Sequence, residues 1–333
     1  MFLNAAYVGD RSNYLPAQLN PINSIEPKYL TQYGSLLGQS ITSPAAKAAG
    51  IPIPYPTFVS DFGSSATVLQ ALRPYPQFAS IFNNFDNTGS ALYNALQVQV
   101  TKRYSSGLSF LVSYTLSRMM SNTNSGFTSF VGSSLNKDNQ KAEWSVDNND
   151  QTHVASIAAT YELPIGPGKA FLNTHNLAGK LLGGWQISPL LQYGSGTPIQ
   201  VGVAGNPLGA GGNRPNIVPG VPLQFSYNNV YKGLPVLNAA AFTDPGPWAI
   251  GNEPRYVSGM RNPSGLNENI ALAKSFPIGE HVKAKLEMEY FNLLNRVIFC
   301  GPNTNLNDPN FGKVIRCQGN TQRQGQAHFT VTF

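Results

Sequence analysis

The stretch Leu96-Gln97-Val98-Gln99-Val100-Thr101-Lys102-Arg103-Tyr104-Ser105-Ser106-Gly107-Leu108-Ser109-Phe110-Leu111-Val112-Ser113-Tyr114-Thr115-Leu116 decides the fold. Side chains point alternately to the two faces of a strand, so a period of two marks one apolar and one wet side. Leu96, Val98 and Val100 fall on one side, Gln97, Gln99 and Thr101 on the other. Beyond Ser105-Ser106-Gly107 the alternation resumes, with Leu108, Phe110, Val112, Tyr114 and Leu116 opposing Ser109, Ser113, Thr115 and Ser117. Two such runs around a three-residue loop containing Gly predict a β-hairpin, its first strand over 93–104.

The pattern recurs outward from this hairpin. His153–Leu163 places Ala155, Ile157, Ala159 and Tyr161 on one side. Trp185, Ile187, Pro189, Leu191 and Tyr193 oppose Gln186, Ser188 and Gln192. A weaker run near 266–276 contains Ile270 and Leu272. Val282, Ala284, Leu286, Met288 and Tyr290 oppose Lys283, Lys285, Glu287 and Glu289. The chain closes with Phe329, Val331 and Phe333 against His328, Thr330 and Thr332, and Phe2–Val8 reads as the end of one more strand.

Residues 93–333 therefore supply seven strands, and their connections alternate in length. The turns at 105–107 and 277–280 are short and the one headed by Pro164-Ile165-Gly166-Pro167-Gly168 is moderate. The segments 9–92, 118–152, 194–265 and 296–322 are long. An up-and-down antiparallel sheet with every long loop at one end gives this order, as in a transmembrane β-barrel with short periplasmic turns and long extracellular loops. Compact soluble domains seldom carry structureless loops of this length.

Composition agrees. Only 11% of the 333 residues are charged, against roughly 25% in ordinary soluble proteins; with 32 Gly and 25 Pro this argues against a helical bundle. The net charge of +6 is dispersed, with no basic run longer than two, so no nucleic-acid partner is expected. No apolar stretch is long enough for a transmembrane helix, a test blind to barrel strands. The N-terminal MFLNAAYVGD has no basic segment followed by an apolar core and is not a secretory signal. A chain exported to the outer membrane needs one, so a start upstream of Met1 is expected.

The faces carry further expectations. Leu96, Val98, Phe110, Val112, Ile187, Leu191, Leu286 and Met288 should face lipid on the convex side. Gln97, Gln99, Ser113, Gln186, Gln192, Lys283, Lys285, Glu287 and Glu289 should face a wet lumen. Trp185 and Tyr193 lie eight residues apart on one face, roughly 20 Å along the membrane normal for a tilted strand, which suits the two aromatic girdles of a barrel. Tyr93, Tyr104, Tyr114, Tyr161 and Tyr290 are assigned to the same girdles. Lys102 and Lys274 share the apolar parity near turn ends, where a long stem can reach the interface. Glu268 has the same parity and fits only above the bilayer or past a bulge.

Four segments carry a family resemblance: Leu72-Arg73-Pro74-Tyr75-Pro76-Gln77-Phe78 before Tyr93-Asn94-Ala95-Leu96-Gln97; Asp150-Gln151-Thr152-His153 before a strand ending Tyr161-Glu162-Leu163-Pro164-Ile165-Gly166; Gly183-Gly184-Trp185-Gln186-Ile187-Ser188 opening a strand that ends Tyr193-Gly194-Ser195-Gly196-Thr197-Pro198; and Glu289-Tyr290-Phe291-Asn292-Leu293-Leu294-Asn295-Arg296. In this order they resemble the barrel of Oar-like TonB-dependent receptors with an N-terminal carboxypeptidase-regulatory-like domain. The resemblance implies a barrel of about 22 strands, a plug inside it and a TonB-contacting segment near the N-terminus. This chain shows no plug candidate, so it reads as the C-terminal part of such a barrel. Its expected partners are outer-membrane lipid, the missing strands and plug, TonB, the barrel-assembly machinery and an unidentified extracellular ligand. The resemblance also implies that a terminal aromatic, here Phe333, marks the chain for assembly.

Site chemistry is sparse. Cys300 and Cys317, an even pair in one predicted extracellular loop, are expected to form a disulfide. The four histidines lack metal-ligand spacing. Asp147-Asn148-Asn149-Asp150 lacks the Gly and distal Glu of a calcium loop and reads as solvated. Gly166-Pro167-Gly168-Lys169 lacks P-loop length, and Gly209-Ala210-Gly211-Gly212 reads as a flexible tip. Tyr290 and Phe291 break alternation toward Asn292, which suggests a bulge. No catalytic triad is legible, so neither enzyme activity nor a cofactor is expected. A ligand-taking receptor barrel is the leading reading; a passive porin or small barrel, and a secreted adhesin or carbohydrate-binding sandwich, are the alternatives.

Overall fold

A computed structural model describes residues 1–17, 19–81, 86–123, 134–203, 213–278, 282–315 and 318–333. Eight long strands follow one another: β1 (Phe2–Ala17), β2 (Asp86–Ser105), β3 (Leu108–Ser121), β4 (His153–Glu162), β5 (Trp185–Gly194), β6 (Gly265–Ile278), β7 (Val282–Phe291) and β8 (Gln324–Thr332). Each pairs antiparallel with its chain neighbour, so spatial order equals sequence order. The two-residue strand Ser145–Val146 joins the end of β3. The sheet is open, with β1 and β8 as its edges. This is the expected all-β, up-and-down arrangement.

The first hairpin turns more tightly than the sequence suggested. β2 ends at Ser105 and β3 begins at Leu108, leaving a two-residue loop. Ser106 (φ 51°) and Gly107 (φ 78°) both have positive φ, as a type I′ turn requires, and that turn matches the twist of paired strands. A Cβ on Gly107 would lie 3.0 Å from the Glu162 carbonyl oxygen, so the position favours glycine twice over.

Three expectations need correction. The first strand does not stop at Val8; it runs to Ala17 through an irregularity at Tyr14 (φ 59°). The second begins at Asp86 rather than Tyr93, so the long connection is 18–85 rather than 9–92. At 16 and 20 residues these strands exceed the 9–11 needed to cross a bilayer. Alternation is demanded only where one face meets an apolar phase, so their far ends, such as Asp10-Arg11-Ser12-Asn13, carry no periodic signal.

Nor are the long connections structureless. Residues 25–72 fold as short helices around Ile25, Leu30, Leu37, Ile41, Phe58 and Val68, and Trp248 and Ile250 pack onto this core from another loop. A second core joins Ile199, Val201, Leu237, Phe242, Met260 and Phe311. Two platforms of ordered chain thus stand at the long-loop end. The Gly209–Gly212 stretch, read as a flexible tip, lies outside the described residues.

Candidate functional site

Register decides which residues share a face. Leu96 pairs with Leu116 and with Tyr7; Val112 with Val100 and Ile157; Ile157 with Leu191. Across the rest of the sheet Leu272 pairs with Ile187 and Met288, and Leu286 with Lys274 and Phe329. The apolar side of every strand therefore lies on one common face. Gln97 pairs with Thr115, Gln99 with Ser113, Gln192 with Ser156 and Asn267, Glu287 with His328, and Lys285 with Thr330. By the same pleat Gln186, Lys283 and Glu289 join this second, polar face.

Tyr114, Tyr161, Trp185, Tyr193 and Tyr290 fall on the apolar face, as expected of girdle residues. Tyr93 does not: it pairs with Asp10 and Met119 on the polar face, four residues from Gln97. Tyr104 lies near the turn end of β2, within the register shift between Lys102 and Ser105. Phe333 follows β8 and is 97% exposed.

At the long-loop end a network of buried charges ties the platforms to the strands. The Asp150 carboxylate is 1% exposed and takes Arg261 Nη2 at 2.7 Å and the Met119 amide at 2.6 Å. Arg261 Nη1 also donates to the Asp150 carbonyl at 2.9 Å. Asp147 accepts from the Ser121 hydroxyl at 2.5 Å, and Arg255 donates to that hydroxyl and to the Ser121 carbonyl, each at 2.7 Å. Arg214 pairs with Glu143 at 2.7 Å, both side chains about 5% exposed or less. The Asp147–Asp150 stretch, read from sequence as a solvated loop, is therefore the opposite: two buried acids anchoring the second long loop. The signal that could have found them is Arg261 and Arg255, far away in the chain but equally without a surface role in a protein with so few charges.

Glu253 stands apart in this network. It is 2% exposed and neither carboxylate oxygen finds a hydrogen-bond partner. Burial pushes its pKa up to about 8, with the positive charge of Arg214 pulling the other way. Burial lowers that of Arg255, which Asp147 opposes.

The fourth family-like segment has its own geometry. β7 ends at Phe291 without a bulge. Asn292 (φ 50°) turns the chain instead and is 3% exposed. Its side chain donates to the Arg296 and Thr321 carbonyls and accepts from the Arg296 amide, while its own amide donates to the Asn269 side chain. Asn tolerates the left-handed region because its short side chain can bond locally. The turn carries Arg296 back onto Glu268, 2.5 Å away. Glu268, out of place by parity, is thus held in an ion pair at the loop end of β6, without a bulge.

Two clefts open on the polar face, at the long-loop end of the strands. One, ≈ 300 Å³, is lined by Tyr93, Gln97, Thr115, Ser117, Asn149 and Gln151 among others. The other, ≈ 400 Å³, is lined by Asn267, Asn269, Phe291, Asn320 and Gln324 among others. Carboxamides and single aromatic rings bind polar ligands through hydrogen bonds and stacking. Among the described residues no group of three or more His, Cys, Asp or Glu side chains is placed to hold a metal ion. Cys300 is disulfide-bonded; Cys317, its expected partner, lies outside the described residues, and so does His281.

An open antiparallel sheet with one apolar and one polar face, short turns at one end and ordered loops at the other defines a segment of a membrane β-barrel. The chain matches the outer membrane beta barrel domain family over residues 1–326 and belongs to it. No curated protein and no solved structure matches it significantly.

Proposed function

We propose that this chain forms part of the barrel of a TonB-dependent receptor of the Oar-like kind, which takes up an extracellular ligand past a plug held in the lumen. The observation that supports this reading is the pair of carboxamide-lined clefts on the polar face, at the long-loop end where two platforms with their own cores also stand. A passive pore needs a polar lumen but no such architecture over it. The apolar face is then the lipid-facing one, since hydrocarbon tolerates no row of Lys, Glu and Gln. TonB and a plug are the partners this reading requires, with the loops outside the cell and the short turns in the periplasm. Lys283, Lys285, Glu287 and Glu289 share the polar face of β7, which this reading turns toward the lumen. Such groups need the water or plug contacts of a wide barrel, because burying them unpaired costs a few kcal/mol each.

The test is conductance of the intact, membrane-extracted protein in planar bilayers. A plugged receptor is expected to be silent. Steady open channels would favour the passive porin instead, and protein that never enters the bilayer would overturn both.

A further inference from the structure

The connection between β4 and β5 (residues 163–184) is more than a turn. Phe171 bonds back to Pro164 and Gly166 across it: the Phe171 amide donates to the Pro164 carbonyl at 2.9 Å and the Gly166 amide to the Phe171 carbonyl at 2.9 Å. Leu177–Leu182 is a short helix capped by the Asn176 side chain, which accepts from the Gly179 amide at 2.9 Å. Gly179 packs so closely that a Cβ there would lie 1.9 Å from the Thr174 carbonyl oxygen. The one buried residue of this helix is that glycine. Its leucines point away: Leu177 is 72% exposed, Leu181 55% and Leu182 57%, and Phe171 beside them is 64% exposed. An ordered segment has spent its packing on holding apolar side chains outward.

Lys274 shows on which side of the sheet this happens. It pairs in register with Trp185 and Leu286, on the apolar face. The expectation was a stem extended to the interface, yet Lys274 is 4% exposed. Its ammonium donates to the Lys180 carbonyl at 3.1 Å and to the Gly183 carbonyl, both at the C-terminal end of the helix, and sits 5.1 Å from the Trp185 ring centroid and 5.0 Å from that of Phe276. The helix end thus lies over the apolar face, at its short-turn edge, and its carbonyls take up the hydrogen bonds of a charge there.

We propose that residues 171–182 are a membrane-interface anchor, with Phe171, Leu177, Leu181 and Leu182 inserted at the headgroup–acyl boundary of the phospholipid leaflet next to the short turns. The proposal rests on the apolar face being the lipid-facing one. The anchor's surface continues that face past Trp185, and Lys180 at the helix end, exposed to solvent, suits anionic headgroups. Lys169, on the same connection, is already paired with Glu162 at 2.9 Å.

The test uses the intact protein in bilayers of phosphatidylethanolamine and phosphatidylglycerol doped with a phospholipid that carries a photoactivatable diazirine on its acyl chain. Mass spectrometry then maps the adducts. Adducts on 171–182 at a yield comparable to the apolar side of β5 are expected, with a several-fold drop in that segment alone for Leu177→Ser/Leu181→Ser/Leu182→Ser. These three side chains are exposed, so the variant is expected to keep the same melting temperature in detergent. Labelling of Ile187 and Leu191 without labelling of 171–182 would overturn the anchor but keep the lipid-facing assignment. Labelling of neither would overturn both, and crosslinks from 171–182 to a second protein in place of lipid would assign the surface to that protein.

Discussion

Arg261 reaches Asp150 across 111 residues of sequence, with Nη2 2.7 Å from Oδ2 and Nη1 2.9 Å from the main-chain carbonyl. Two loops that the sequence leaves far apart are joined at one buried point. Removing one partner strands the other charge without water, which costs about 3 kcal/mol or more. Arg261→Ala is therefore expected to loosen both loops while the sheet stays intact. Limited proteolysis should show new cuts within 122–152 and 195–264, with the strands protected. Asp150→Asn keeps the shape and should be milder. An Arg261→Ala protein with the parent cleavage pattern would show the pair to be dispensable.

The apolar and polar faces make a sharper prediction at two neighbouring positions. Leu286→Arg puts a guanidinium on the face assigned to lipid and should cost about 2–4 kcal/mol near the bilayer middle. Lys285→Arg, on the other face, should cost close to nothing. Urea titration of the protein folded into lipid vesicles measures both. Equal effects would remove the basis for the face assignment.

Glu253 predicts a pH dependence with a definite sign. Its pKa in the folded protein is about 8, above the value near 4.3 of a solvated Glu. Between these limits the folded state holds a proton that the unfolded state has released. Stability should then be greatest at the acid end, fall as pH rises from about 4.5 to 8, and level off above, with a slope approaching ~1.4 kcal/mol per pH unit. Glu253→Gln should abolish that slope and stabilise the platform at pH 8. Platform melting followed by Trp fluorescence across this range decides it, and a parent protein with a flat profile would count against a buried proton.

A Cys300–Cys317 bridge should appear as one disulfide-linked peptide pair in non-reducing mass spectrometry of exported protein. It would close a loop of 16–17 residues, and opening it with reductant should lower the stability of the 292–323 connection by about 3 kcal/mol. Two alkylatable thiols in the exported protein would exclude it.

The sheet was legible because a membrane barrel leaves a plain mark. Wherever a strand separates lipid from water, every second residue is forced apolar, and turn chemistry such as Ser106-Gly107 punctuates the runs. That local rule gave the seven strands from β2 to β8, the end of β1, their antiparallel order and the sharing of faces from Leu96 to Phe329. It failed at the ends of β1 and β2, where no apolar phase imposes it, and at Tyr93, whose odd position in β2 puts it with Gln97.

What tertiary structure alone decided is everything held by contacts without a period. Asp147 and Asp150 look like solvated loop acids until Ser121 and Arg261 arrive from elsewhere in the chain. Lys274 looks like a side chain reaching for water until the Leu177–Leu182 helix lays its carbonyls over it. Glu268 looks misplaced until Asn292, in the left-handed region, turns Arg296 back to meet it. Strand patterning is set by neighbours one or two residues away and survives in the sequence. Burial of a charge depends on a partner that any distant segment can supply, and a linear sequence does not record which one comes close.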